Sequence, residues 1–304
     1  MNTATNICDL SAATPVVATP ESAWRNFCEL LKPRMNLLVL GTTTVGFSIA
    51  ARTTADWTRL PNTLVGTALC AASAAILNQY IERKYDGLMP RTAHRPLPTG
   101  RISPLQALIF GLAAGILGGL YLLLLVNWLT AALGSATLLS YVLIYTPLKR
   151  RTTLNTIVGA VSGAVPPMMG WTAVTGSLAA PAWALLGILF VWQIPHFLAI
   201  ATLYRDDYRV GGFKMLPVND PMLRATGRQI VLYSAAMLPV SLLPAMVGVA
   251  GEIYTVSAVL LGVGFFAFCV SCATRRTRAE ARRLFFASII YLPVLLAVLM
   301  LDRV

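Results

Sequence analysis

The stretch PLQALIFGLAAGILGGLYLLLL (104–125) sets the fold class, because it contains no charged side chain over a length that can cross a bilayer. Over the whole chain of 304 residues, 57% of the side chains are hydrophobic and only 12% are charged. That charged fraction is about half of what a soluble domain usually carries. A soluble helical protein would need amphipathic stripes with charged outer faces, which this sequence lacks. The sequence therefore predicts an all-α, polytopic membrane protein.

Outward from this run, the same pattern predicts nine spans, at roughly 36–51, 61–81, 104–125, 128–146, 154–173, 181–203, 229–249, 254–273 and 284–301. Small residues are frequent within them, as in GAVSGAVPPMMG (159–170), and small residues let membrane helices pack closely. Pro166, Pro167 and Pro195 lie inside spans and are predicted to kink them, which membrane helices tolerate where they line a cavity.

Positive charge is distributed asymmetrically along the chain. The net charge is +12, and all but three of the 24 Lys and Arg residues lie in the N-terminal segment or in alternate loops. The exceptions are Arg52, Arg59 and Arg303. This pattern predicts an inner-membrane protein with a cytoplasmic N-terminus and a periplasmic C-terminus, and it explains the basic balance without nucleic acid.

The N-terminal segment lacks the basic start and strong apolar core of a signal peptide. We therefore predict a disordered cytoplasmic tail over residues 1–30, followed by a single transmembrane domain over 31–304. Cys269 and Cys272 form a C-x-x-C at the end of an apolar run. This pair is more typical of two small residues one helical turn apart than of a redox pair.

A polar cluster lies at the end of the second span, in NQYIERKYD (78–86). Asn78, Glu82 and Asp86 are spaced i, i+4, i+8, so a helix places all three on one face. Their oxygens are hard ligands that suit Mg²⁺, and Arg91 and Arg95 follow shortly after. This combination fits a metal-bound diphosphate, in which Mg²⁺ bridges carboxylates to phosphate oxygens.

An equally good interpretation of the spacing is a solvated helix end, where Glu82 and Asp86 pair with their neighbours Arg83 or Lys84. Two further polar stretches complete the set. Asp206 and Asp207 follow the sixth span, and YTPLKRRTTLN (145–155) places Lys149 and Arg150 between two spans. His196 lies inside the sixth span, where a histidine is costly unless it faces a cavity or a partner.

These stretches together resemble one family. The runs NxxxExxxDxxMxRTxxRPLPxGRIS (78–103), YTPLKRRTxxN (145–155) and WQxPHFxxxAxxYRDDYRxxGxxMLP (192–217) are similar to motifs of the UbiA superfamily of intramembrane prenyltransferases, within it to the branch that acts on heme. LKPR (31–34) fits the start of the same family, and the resemblance runs from Leu31 to the last span.

The resemblance implies nine transmembrane helices around a central cavity, with one or two Mg²⁺ ions at the cytoplasmic end. The implied metal ligands are Asn78, Glu82, Asp86 and Asp207. The implied catalytic and diphosphate contacts are Asn78, Asp86, Arg91, Arg95 and Lys149. The implied substrate-binding residues are Arg150, Tyr145, Asn155, His196, Asp206 and Asp207.

The implied reaction transfers the farnesyl group of farnesyl diphosphate to the vinyl group of protoheme IX (heme b). Addition of water gives heme O, a precursor of the heme-copper oxidase cofactor, and diphosphate is released. Heme b is then a substrate and not a cofactor, and His196 could ligate its iron or orient a propionate. Heme A synthase or oxidase assembly factors are candidate partners. Trp192, Phe197 and Tyr145 could shield an allylic cation, although packing explains each of them equally well.

Three alternatives stay open at this point. A UbiA-type enzyme could act on an aromatic quinone precursor instead of heme. A transporter or channel would explain the many spans and the kinked helices, but it would not need carboxylates gathered with arginines at one end. A non-catalytic assembly factor for a respiratory oxidase is the third.

Overall fold

The computed structural model describes residues 20–304, with side-chain surroundings from residue 24 onward. Ten main helices are found: α1 Pro20–Leu30, α2 Pro33–Ala50, α3 Leu60–Asp86, α4 Pro104–Leu125, α5 Trp128–Leu139, α6 Asn155–Thr175, α7 Ala180–Leu203, α8 Arg224–Val240, α9 Glu252–Arg275 and α10 Arg278–Leu301. Short helices lie between them at Thr54–Trp57, Thr146–Leu148, Arg205–Val210, Leu216–Asn219 and Leu243–Met246. The described residues contain no strand.

The prediction of about nine membrane helices is confirmed. Within the described residues, eight helical stretches are long and apolar enough to cross a membrane. They contain α3 to α10. The remaining predicted span, 36–51, corresponds to α2. This helix has 18 residues but is less apolar, because its first turn carries Arg34 and Asn36.

Helix α2 is held in the bundle by a close crossing with α6. Gly46 faces the backbone of Pro167, and Gly170 faces the backbone around Thr43 and Phe47. A Cβ atom on Gly170 would lie only 2.6 Å from the Phe47 backbone nitrogen. The two helices therefore approach at a distance that only glycine permits, as in membrane interfaces built on small residues.

The predicted disordered tail over residues 1–30 has a different outcome on either side of residue 20. Residues 1–19 of the predicted disordered tail lie outside the described residues. Residues 20–30 form α1 instead, because this helix is amphipathic and finds a surface to pack on. Leu30 is fully buried, and the ring of Phe27 lies edge-on to Phe110 with centroids 4.7 Å apart.

Two features of the helices bear on the predicted kinks and on the cysteines. Helices α6 and α7 continue through Pro166, Pro167 and Pro195. Span four instead changes to a π-helical segment at Ser140–Tyr145, directly before the second sequence motif. Cys269 and Cys272 are free, buried thiols on α9 one turn apart, as their spacing indicates.

Candidate active site

The polar face predicted on α3 is buried within the bundle. Asn78, Glu82 and Asp86 occupy three successive turns at the C-terminal end of α3, and all three are buried. A buried carboxylate is costly unless a charge or hydrogen bonds compensate it. The cations near Glu82 and Asp86 therefore decide how the charge of this face is compensated.

Each carboxylate on this face is paired with a cation that lies outside α3. Lys149 Nζ lies 2.9 Å from Glu82 Oε1, and Arg95 Nη1 lies 2.7 Å from Asp86 Oδ2. The alternative, pairing with neighbours on the same helix, is wrong for this structure. Arg83 turns back to the Tyr80 carbonyl and lies over the Tyr80 ring.

Asn78 joins the same network through its amide. Its Nδ2 donates to Thr146 Oγ1 over 3.1 Å, and its Oδ1 accepts from Lys32 Nζ over 3.4 Å. Thr146 in turn donates to the carbonyl of Tyr141 over 2.8 Å, within the π-helical segment. Non-α turns of this kind often occur at functional sites, and here the turn places a hydroxyl against the α3 face.

The second motif, residues 145–155, contacts both the first motif and the third. The Arg150 guanidinium lies 3.7 Å from the centroid of the Tyr85 ring. The backbone nitrogen of Lys214 donates to the Lys149 carbonyl over 2.7 Å, and Asn155 Nδ2 donates to the Lys214 carbonyl over 2.9 Å. Asn155 was predicted to bind substrate. In the structure its amide instead stabilises the loop that carries Lys149, through the backbone of Lys214.

Burial and charge act in opposite directions on Lys149. Burial disfavours its ammonium form, but the Glu82 carboxylate outweighs this and raises the pKa of Lys149 well above its ordinary value. The Glu82 carboxylate therefore favours the ammonium form of Lys149. Its ammonium also lies 4.6 Å from the centroid of the Tyr145 ring.

Arg91 connects the first motif to the third. Its guanidinium lies 5.0 Å from the centroid of the Tyr204 ring and 5.7 Å from that of Tyr208. Its buried Nε has no hydrogen-bond partner among the described residues. A donor of this kind is available for an anionic ligand.

The two aspartates of the third motif differ in position. Asp206 points into solvent and pairs with Arg209 over 2.9 Å, so this structure does not bring it into the cluster. Asp207 is half-buried on the same short helix, Arg205–Val210. Adjacent residues on a helix point in different directions, which is why only one of the two can face the site.

His196 lies in a separate aromatic pocket between α7 and α10. Its Nδ1 is 2.7 Å from Ser288 Oγ, and its ring is stacked between Trp192 and Phe285, at centroid distances of 4.8 and 5.3 Å. Phe197 lies at a tilted 5.7 Å from the same ring. These hydrogen-bond and ring contacts of His196 are with α7 and α10, and none is with the carboxylate face.

The residues present fit Mg²⁺ bound together with phosphate. Among residues 20–304, no three His, Cys, Asp or Glu side chains lie close enough to hold a metal ion by themselves. Mg²⁺ in phosphate-transferring sites is typically held by only one or two carboxylates, with phosphate oxygens and waters as the other ligands. Glu82 and Asp86 supply that number of carboxylates on one buried face.

The sequence reasoning missed two members of this network, Lys32 and Thr146. Both are inside stretches that resemble the family, LKPR (31–34) and YTPLKRRTxxN (145–155), but spacing alone gave no reason to assign them a role. Lys32 is half-buried, and burial together with the nearby charges of Arg95 and Lys149 lowers its pKa to about 7.

The apolar helices and the buried face of α3, whose two carboxylates pair with Lys149 and Arg95, define an integral membrane protein with a charged site inside its helix bundle. Residues 39–290 match the UbiA prenyltransferase family, and the chain belongs to that family.

Curated relatives agree with this assignment over nearly the whole chain. The protoheme IX farnesyltransferase of Solibacter usitatus (strain Ellin6076) is 45% identical over 288 residues, which cover 92% of this chain and 99% of that protein. The protoheme IX farnesyltransferase of Sorangium cellulosum (strain So ce56) is 49% identical over 240 residues, 79% of this chain and 85% of that protein.

Solved structures show the same fold at low identity. A digeranylgeranylglyceryl phosphate synthase superposes with a TM-score of 0.76 at 16% identity, covering 92% of this chain and 98% of that one. A UbiA homolog from Archaeoglobus fulgidus, bound to GPP and Mg²⁺, superposes with a TM-score of 0.67 at 17% identity, covering 90% and 99%. At this identity the likeness establishes the fold alone.

Proposed function

We propose that this protein transfers the farnesyl group of farnesyl diphosphate to the vinyl group of protoheme IX, with addition of water, to give heme O and diphosphate. The observation that carries the proposal is the buried α3 face, on which Glu82 and Asp86 are each paired with a cation from another segment. The acceptor is supported by the relatives named protoheme IX farnesyltransferase, at 41–49% identity.

Mg²⁺ is the metal proposed for this site. Its use is supported by the donor set and by the fold relative that binds GPP and Mg²⁺. The proposed ligands are Asn78, Glu82, Asp86 and Asp207. When bound, the ion would neutralise charge on the leaving diphosphate.

The protein's own cations would complete that neutralisation. If the two carboxylates bound the metal ion, Lys149 and Arg95 would lose their present partners and could bind phosphate oxygens. Arg91 and Arg150 stand at the same end of the bundle and would add further donors. Preorganised cations stabilise the negative charge that develops as the C–O bond breaks, and this is where we expect most of the catalysis to arise.

The organic half of the reaction needs a water-excluding site. Breakage of the C–O bond leaves an allylic farnesyl cation, which the electron pair of the vinyl double bond attacks. Water then adds to the resulting carbocation and one proton is released. An early encounter with bulk water would hydrolyse the farnesyl cation, so the interior of a helix bundle protects the intermediate. Tyr145, which lies beside Lys149, is proposed to shield the cation.

His196 is proposed to contact heme, as an iron ligand or through a propionate. Support comes from its position between the stacked rings of Trp192 and Phe285 on two membrane helices. Ser288 engages Nδ1, so Nε2 would be the atom available to a ligand. Asn155 and Asp206 are assigned no direct contact with substrate.

The proposed setting is the inner membrane, with the N-terminus cytoplasmic, the C-terminus periplasmic, and residues 31–304 forming a single transmembrane domain. The asymmetry of Lys and Arg along the sequence supports this orientation. It places the charged end of the site in the cytoplasm, where farnesyl diphosphate would enter.

The test is a transfer assay with purified protein in liposomes, heme b, labelled farnesyl diphosphate and Mg²⁺, followed by chromatography and mass analysis of the hemes. Formation of farnesylated heme that stops with EDTA is the expected result. Transfer to 4-hydroxybenzoate but not to heme would retain the prenyltransferase and refute the acceptor. No transfer to any acceptor from folded protein would refute the enzymatic function.

A further inference from the structure

Lys32 occupies the turn between α1 and α2 and reaches the site from a third direction. Its Nζ lies 3.4 Å from Asn78 Oδ1, on the turn of α3 that precedes Glu82. Each of the three polar positions on α3 therefore has a different cation beside it. Lys32 faces Asn78, Lys149 faces Glu82 and Arg95 faces Asp86.

The backbone of Lys32 is unusual for its residue type. Its φ of 47° and ψ of 62° lie in the left-handed region, which is costly for a residue with a Cβ atom. The following residue is Pro33, and residues before proline normally adopt extended conformations. Strained backbone of this kind persists where the surroundings over-determine it, and it concentrates at functional sites.

The surroundings of the turn do over-determine it. The Leu30 carbonyl accepts a hydrogen bond from Gln79 Nε2 over 2.8 Å, and the Leu31 carbonyl accepts one from Asn36 Nδ2 over 2.9 Å. Both peptide groups before Lys32 are thus fixed by α3 and α2.

The charge balance shows what Lys32 adds. Lys149 and Arg95 each form an ion pair with a carboxylate, whereas Lys32 contacts the neutral amide of Asn78, so three cations stand beside two carboxylates on the α3 face. A multiply charged anion bound against the polar face of α3 would compensate this surplus.

We infer that Lys32 is a further diphosphate-binding cation of this site, and that the strained turn between α1 and α2 holds its side chain towards Asn78. The inference rests on the proposed function for the identity of the substrate, and it names a residue to which neither the motifs nor the relatives assign a role. Lys32 would donate to phosphate oxygens from the turn between α1 and α2.

Two substitutions of Lys32 separate binding from stability. Lys32→Met keeps the aliphatic stem and removes the charge, and Lys32→Gly also relieves the left-handed backbone strain. Arg34→Met is the matched control, because it removes one positive charge two residues away at an exposed position. All three are measured for thermal stability and for binding of inorganic diphosphate with Mg²⁺ by calorimetry.

We expect both Lys32 variants to bind diphosphate about 10-fold to 100-fold more weakly, the range for one hydrogen bond to a charged group. Lys32→Gly should nevertheless melt at the same temperature as the wild type or higher, and Arg34→Met should bind normally. In the transfer assay, KM for farnesyl diphosphate should rise, whereas KM for heme b should stay unchanged.

Normal diphosphate binding by Lys32→Met and Lys32→Gly would overturn the inference, as would equal weakening by Arg34→Met. A loss of binding that only accompanies a drop in melting temperature in both variants would show a structural role instead. The calorimetric measurement needs no acceptor. Failure of heme farnesylation would therefore count against the proposed function, without deciding the role of Lys32.

Discussion

Two aspartates with the same kind of partner provide a sharp test of where the site lies. Asp86 and Asp206 each accept a hydrogen bond from an arginine, over 2.7 Å and 2.9 Å. The Asp86 side chain is 1% exposed and the Asp206 side chain is 82% exposed. The change of each aspartate to asparagine keeps the shape and removes one charge, so burial and position are what differ between the two variants.

The expected magnitudes follow from that exposure. Removal of one partner from a fully buried ion pair costs about 3–5 kcal/mol. Because Arg95 is 19% exposed and can turn towards water, we expect about 2–3 kcal/mol for Asp86→Asn. An exposed pair contributes less than about 1 kcal/mol, so Asp206→Asn should be nearly neutral. For transfer, loss of a ligand at the developing charge should reduce the rate at least about 100-fold for Asp86→Asn, with little change for Asp206→Asn.

Both variants should be assayed together in one detergent or lipid preparation. Thermal unfolding measures stability, where about 2–3 kcal/mol corresponds to a shift of roughly 5 °C. Farnesyl transfer to heme b, followed by chromatography, measures function. Equal losses of transfer in the two variants would refute the assignment of the site to the α3 face. So would a fully active Asp86→Asn.

Three further predictions address packing, capping and heme. Gly170→Ala should destabilise the protein by about 3 kcal/mol or more in thermal unfolding, because the added methyl meets the backbone of α2, whereas Gly264→Ala, which faces open space, should change stability by less than about 0.5 kcal/mol. Burial alone would raise the pKa of Asp220, but hydrogen bonds from the backbone N–H groups at the start of α8 outweigh it and hold the pKa below 3.8. This stabilisation is present above pH 3.8 and is lost as the pH falls through the lowered pKa. Asp220→Ala should therefore cost about 1 kcal/mol at pH 7, and unfolding curves of variant and wild type should converge as the pH falls through the lowered pKa of Asp220. His196→Ala should reduce heme turnover but leave diphosphate binding unchanged in calorimetry, and normal turnover would exclude a heme contact.

The helices were predictable because the bilayer imposes one strong local rule. Every backbone polar group in the membrane must be satisfied within its own segment, so a long apolar run has to be a helix. The run at 104–125 became α4 with the same bounds. The end of α3 extended five residues beyond the predicted 81, because Glu82 and Asp86 find partners inside the protein and the helix does not end at its first charge.

Helical periodicity was also sufficient to place Asn78, Glu82 and Asp86 on one face. It could not choose between Arg83 or Lys84 on the same helix and cations from elsewhere. That choice depends on which loops meet at the end of the bundle, and loop positions are not encoded by local spacing. The same limit applies to Asp206, which is adjacent in sequence to a candidate ligand but points into solvent.

By itself, then, the sequence determined the membrane class, the helix count and the three segments that carry the polar residues, because each follows from a period or a run within one segment. Tertiary structure alone decided the partners: Lys149 for Glu82, Arg95 for Asp86 and Lys32 for Asn78. These contacts join positions from 9 to 67 residues apart. These contacts depend on how the helices and loops pack together, and the local sequence of one segment does not specify that packing.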